Sequence, residues 1–398
     1  MHTIKTLRLI FISCVLVLCA GLNNKSARAE SDGLHPVVFG VSLDLSGSYR
    51  VMSAMQKKGF LLWEKHANEL GGVLGRPVEV RILDNRGDLE LLQKHYTDML
   101  EGDGIDLVFA PYSSQQTEKV APLFEKHRVP VLASGASAPS LWEQGYQYLF
   151  GLYTPADFYS QGFLEIMSIK DINQLAIFYS EGIFPASSAQ GARKWARRLG
   201  LDVVLFEQMG TDAALYLNAV LRARQNRARS VMMFGYLREA VLMRRALDEA
   251  DWDPAAYYAA VGPVSRDYLQ ELGDLAENTF STAPWIYHSG LVYPGVHRFN
   301  ADFQKTYGQR PGYHAATAYA AGQLMASALD KTGELDKEKL RKVLMENNAF
   351  TILGRYGVNS KGGQMRHSAF TIQWRGQEQE IVWPPSLSTS QPWINYER

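Results

Sequence analysis

Apolar and polar positions along the chain fall into short apolar runs separated by stretches with helical spacing. Residues 37–43 form an apolar run ending in the polar turn Asp44-Leu45-Ser46-Gly47, which predicts a strand running into a loop. Over 51–70, Met52, Met55, Gly59, Leu62, Trp63, Ala67 and Leu70 recur on one helical face, and Gly71-Gly72 stops the helix. Strands are predicted at 78–83, 107–112 and 129–133, with helices over 89–100 and 114–127. The rhythm restarts with strands at 175–179, 201–206, 231–236 and 257–261 and with helices starting near Pro185, Asp212 and Leu237. Residues 370–374 and 380–383 flank Gly376 as a hairpin-like pair. Two successive strand-helix-strand series predict an α/β chain with two doubly wound, largely parallel sheets.

The first thirty residues stand apart. Lys5 and Arg8 precede an almost wholly apolar stretch from Leu9 to Leu22, and a polar segment then ends in Ala27-Arg28-Ala29. This is the build of a signal peptide over 1–29, cleaved before Glu30. The apolar stretch is short of the roughly 20 residues a membrane anchor needs. Lipid attachment fits neither cysteine, because Cys19 follows Leu18 and Cys14 comes too early. Both cysteines are expected to leave with the signal, which excludes thiol catalysis, disulfides and zinc-thiolate sites from the rest.

The chain has 398 residues, beyond the size of one ordinary domain, and 46% hydrophobic with 21% charged residues is the balance of a soluble globular protein. Lysine plus arginine equals aspartate plus glutamate, 41 each, so no global basic field is available to hold nucleic acid. Loss of Lys5, Arg8, Lys25 and Arg28 with the signal lowers the net charge from +0 to about −4.

No phosphate-binding glycine loop, complete dinucleotide fingerprint, paired-histidine metal helix or nucleophile elbow occurs. No metal or other cofactor is expected. An exported α/β hydrolase would have to assemble its triad from distant residues. Two turns stand out instead: Tyr112-Ser113-Ser114 follows the third predicted strand and Gly135-Ala136-Ser137 the fourth. Both lie at the carboxyl ends of neighbouring strands, where doubly wound sheets bind ligands. Their hydroxyls and helix-start N–H groups suit a small carboxylate, while simple helix capping by Ser114 and Ser137 is the alternative.

From Val37 to about Pro384 the chain resembles the type I periplasmic solute-binding proteins, in the branch serving branched-chain amino acid, amide and aromatic acid ABC transporters. The resemblance is carried by Asp44-Leu45-Ser46-Gly47, Ala67-Asn68-Glu69-Leu70-Gly71-Gly72-Val73-Leu74-Gly75-Arg76-Pro77, Asp84-Asn85, the two serine turns, Gly262-Pro263, Tyr313-His314-Ala315-Ala316 and Val382-Trp383-Pro384-Pro385. It implies two lobes joined by three hinge crossovers: 34–156 plus 287–356, and 157–286 plus 357–388. It implies a ligand carboxylate held at Ser113, Ser114 and Ser137, with Tyr112, Gly135 and Ala136 in the same turns. Apolar walls would come from Tyr49 and Met52 in the first lobe and from Phe184 and Tyr236 in the second, with Trp285 near the second crossover. Amino acid binders of this family carry an acid directly after the second lobe's Gly-Pro, where this chain has Val264. The resemblance therefore implies a periplasmic protein that passes a carboxylate with an apolar or aromatic body to a membrane permease or a sensor. Amino acid or amide binding by the same fold, with Asp267 or another acid as the ammonium partner, is the alternative.

Overall fold

The computed structural model describes residues 35–102 and 104–396. The expected signal peptide with its expected cleavage site, and both cysteines, lie outside the described residues. The first unit runs β1 (Val37–Leu43), α1 (Arg50–Glu69), β2 (Val78–Asp84), α2 (Leu89–Glu101), β3 (Leu107–Val108), α3 (Ser114–Lys126), β4 (Val131–Ala133), α4 (Ser140–Glu143) and β5 (Leu149–Gly151). A second unit follows with α5 (Gln161–Ile169), β6 (Gln174–Ser180), α6 (Ile183–Arg198), β7 (Asp202–Met209), α7 (Ala214–Gln225), β8 (Ser230–Phe234), α8 (Leu237–Glu249), β9 (Ala256–Ala259), α9 (Arg266–Leu272) and β10 (Phe280–Ala283). The chain then returns to the first unit as α10 (Val296–Tyr307), α11 (Tyr313–Thr332), α12 (Lys337–Glu346) and the short pair β11 (Phe350–Thr351) and β12 (Gly354–Arg355). It ends in the second with the hairpin β13 (Phe370–Arg375) and β14 (Glu378–Trp383).

In the first unit the order β2-β1-β3 is parallel, and β4 pairs in parallel with β5. A backbone bond from Ala110 N–H to the Leu132 carbonyl (3.3 Å) joins the two pieces where β3 has ceased to be regular. The second unit has one seven-stranded sheet, β14-β13-β10-β9-β8-β6-β7, parallel from β10 to β7 and antiparallel at the β13-β14 edge. All seven residues of β1 are buried, as expected of a parallel strand covered on both faces. Phe39 on β1 packs edge-on against Trp63 of α1 (ring centres 5.2 Å apart) and stacks on Phe109 (5.3 Å).

Helices α1 and α11 touch through glycines. A Cβ on Gly59 would lie 2.1 Å from the Ala315 carbonyl oxygen, and one on Gly322 would lie 2.0 Å from the Trp63 ring. His66 of α1 extends this contact, its Nδ1 2.9 Å from the Tyr319 hydroxyl and its Nε2 3.0 Å from Asp302 of α10.

The predicted alternation corresponds to β1–β4 and β6–β9 with their intervening helices, although the limits differ. Regular pairing in β3 stops at Val108, short of the expected residue 112, because the chain turns away toward Ser113. Helix α11 carried no amphipathic signal: fourteen of its twenty residues are buried, so a polar face to set its period is nearly lacking.

Candidate ligand cleft

The two serine turns meet at the carboxyl ends of β3 and β4. Ser113 N–H donates to the Gly135 carbonyl (3.1 Å). The Ser114 hydroxyl oxygen accepts the N–H groups of Ser137 (3.2 Å) and Ala138 (3.1 Å). Ser113 is the residue that caps α3, its Oγ accepting from Gln116 N–H (3.2 Å), and it does so at φ +78°, a region that favours glycine. Neither Ser114 nor Ser137 caps a helix: Ser114 clasps the other turn, and Ser137 Oγ is buried without a hydrogen bond of good geometry.

The second unit faces these turns with Phe184 in the first turn of α6, Tyr236 at the start of α8, and Val261. Val261 sits at φ +52°, ψ −57° in a rare tight turn closed by Gly262 N–H to the Ala260 carbonyl (2.5 Å). Tyr153 and Tyr159, from the segment linking the units, and Tyr313, the first residue of α11, complete a chamber of about 10 Å³. Tyr49 bridges the halves, its ring 5.5 Å from that of Tyr112 and 5.0 Å from that of Tyr236.

The chamber is rich in hydroxyls and has no charged side chain in its lining. Burial raises the pKa of Tyr112, Tyr153, Tyr159, Tyr236 and Tyr313, while Ser137 beside Tyr153 and Tyr159 opposes the rise. Beneath Tyr112, its hydroxyl 3.1 Å from Nε2, His314 is held neutral, its pKa pulled down by burial to about 3. Two carboxylates beside the chamber are committed to backbone: Asp44 accepts from Gly47 and Tyr49 N–H, and Glu239 accepts from Tyr236 N–H (2.9 Å). What remains for an anion is the starts of α3, α6, α8 and α11, each of which contributes a lining residue. Partial positive charge at four helix starts, with hydroxyl donors between them, can hold a carboxylate without a lysine or arginine.

Of the residues singled out in the sequence, Tyr112, Ser113, Ser114, Gly135, Phe184 and Tyr236 line this chamber, and Tyr49, Ala136 and Ser137 adjoin it. The structure does not bring Met52, Val264 or Trp285 to it. Met52 is buried in the core on α1, and Val264 is half-buried in the turn before α9. Trp285 packs on Phe299 (5.6 Å) and donates from Nε1 to the Ile352 carbonyl (3.0 Å). Asp267 stays with Ser265 at the start of α9. Tyr153, Tyr159 and Val261 were not expected at the site, and Tyr313 was expected only within the family motif Tyr313-His314-Ala315-Ala316, not as a lining residue.

Two doubly wound units that shut on a buried, hydroxyl-lined chamber define a two-lobed small-molecule binding protein. The chain belongs to the periplasmic binding protein family, whose profile matches residues 36–379. A leucine-, isoleucine-, valine-, threonine- and alanine-binding protein of Pseudomonas aeruginosa is 24% identical over 325 residues, covering 80% of this chain and 85% of its own length. Among solved structures, the branched-chain amino acid binding protein LivJ of Streptococcus pneumoniae, in complex with isoleucine, superposes with a TM-score of 0.78 at 18% identity, over 87% of this chain and 98% of that one. A solute-binding protein of R. palustris in complex with benzoate gives 0.76 at 13%, over 91% and 98%. The fold is that of the type I periplasmic binding proteins, two parallel-sheet lobes joined by three hinge crossovers.

Proposed function

We propose that the protein is exported to the periplasm, captures a small carboxylate with an apolar or aromatic body between its lobes, and delivers it to the permease of an ABC importer. The lobe limits that go with this reading are 34–156 plus 287–356 and 157–286 plus 357–388. The observation that carries it is the uncharged chamber ringed by hydroxyls and four helix starts. Ser113, Ser114 and Ser137, with the backbone at Gly135 and Ala136, would hold the carboxylate, and Tyr49, Phe184 and Tyr236 would wall the apolar body. An ammonium would be buried without a partner, at a cost of several kcal/mol. Binding without turnover fits a site whose lining holds neither a general base nor a carboxylate to orient one.

Amino acid binding is the second reading, favoured by the relatives that bind branched-chain amino acids. It requires Asp267 or another acid to reach the ammonium, and Glu239 and Asp44 could do so only by giving up backbone N–H groups. Mass spectrometry of small molecules released by denaturing the protein, purified from its native host, tests the choice. A carboxylate without an α-amino group is expected. Release of an amino acid would favour the second reading, and conversion of the bound molecule to a product would overturn both.

A further inference from the structure

The chain passes between the units three times, through residues 152–160, 284–295 and 356–369. The third passage is sewn to the first. Gly151 N–H donates to the Gly362 carbonyl (2.8 Å), and Gln364 Nε2 donates to the Leu152 carbonyl (2.9 Å). Thr154 N–H points at Nδ1 of His367 (3.0 Å), and Thr154 Oγ1 lies 2.7 Å from the same nitrogen. A backbone N–H can only donate, so Nδ1 is an acceptor and the proton of the neutral ring sits on Nε2. The Pro284 carbonyl, at the start of the second passage, lies near the ring, but Nε2 makes no hydrogen bond of good geometry, so the imidazole ties the third passage to the first and only abuts the second. His367 is only 9% exposed, and burial lowers its pKa to about 4, leaving it neutral at pH 7. Beside it lies a cavity of about 950 Å³, bordered by Thr154, Tyr293 and Arg366 among others. All three passages border this space.

We infer that His367 is a positioning residue for lobe closure, a rivet that holds the first and third crossovers in the register at which the serine turns meet Tyr236 and Phe184. The inference rests on the reading that the lobes shut on a ligand, and it concerns the hinge alone, since His367 is absent from the chamber lining. Without the rivet the closed population falls, and apparent affinity falls by the same factor.

The test is small-angle scattering of wild type, His367→Leu and His367→Asn without ligand, followed by titration of each with 3-phenylpropanoate. Asparagine can place Oδ1 where Nδ1 accepts from Thr154, whereas leucine cannot. His367→Leu should have a larger ligand-free radius of gyration than wild type and bind about tenfold more weakly, with His367→Asn close to wild type in both. Thr154→Val, which keeps the N–H and removes Oγ1, should move the same way by less and serves if the leucine variant does not fold. Equal ligand-free radii in wild type and the folded variants would overturn the inference. A wild type that fails to bind 3-phenylpropanoate would instead count against the ligand reading.

Discussion

Ser114 and Ser137 stand a few ångströms apart in the chain's two serine turns but differ in how they are held. Ser114 Oγ is the acceptor for two buried backbone N–H groups, so Ser114→Ala leaves both unpaired and should lower stability by about 1–3 kcal/mol. Ser137 Oγ has no such duty, and Ser137→Ala should cost well under about 1 kcal/mol. Each charge-assisted bond to a ligand carboxylate contributes about 1.5–3 kcal/mol, so both variants should bind roughly 10- to 150-fold more weakly. Urea denaturation and calorimetric titration separate the two effects. Wild-type affinity in a stable Ser137→Ala protein would remove this serine from the site. The glycine-like backbone of Ser113 and the tight turn at Val261 face each other across the same chamber, a placement of strain that accords with a functional site.

At the scale of elements, the chamber's shape depends on how closely α1 and α11 approach. Tyr49 precedes the first residue of α1 and Tyr313 is the first of α11, so the glycine contacts between these helices set the spacing of two chamber tyrosines. Gly322→Ala drives a methyl group into Trp63 and should destabilise the protein by about 1–3 kcal/mol, weakening ligand binding as Tyr49 and Tyr313 separate. Thermal unfolding and titration of that variant check this, and an unchanged melting temperature would mean the helices part without strain. Elements with one apolar face were legible in the sequence: α1, α2 and α3 fall where periodicity places them. Helix α11 was not, being buried on nearly all sides, and β5, three residues long, is too short to show a period. The serine turns were legible because each follows an apolar run and opens a helix. Tyr153, Tyr159 and Tyr313 were not, since only the crossing of the chain between lobes brings them together, and Trp285 is turned by its bond to Ile352 into the packing near the hinge.

For the whole molecule, the proposed function depends on two lobes that part and shut. The chamber, at about 10 Å³, has room for about one water molecule. On the proposed reading a carboxylate with an aromatic body enters only as the lobes separate, and the lobes then close around it less fully than they do in this structure. On that reading an α-amino group is disfavoured, because Asp44 and Glu239 accept from backbone N–H groups and Asp267 is held by Ser265. Calorimetric titration of the wild-type protein with 3-phenylpropanoate and with phenylalanine, which differ by one α-amino group, tests this most directly. 3-Phenylpropanoate is expected to bind at least about tenfold more tightly, because no carboxylate in the chamber lining balances the charge of an ammonium. Tighter binding of phenylalanine would contradict it.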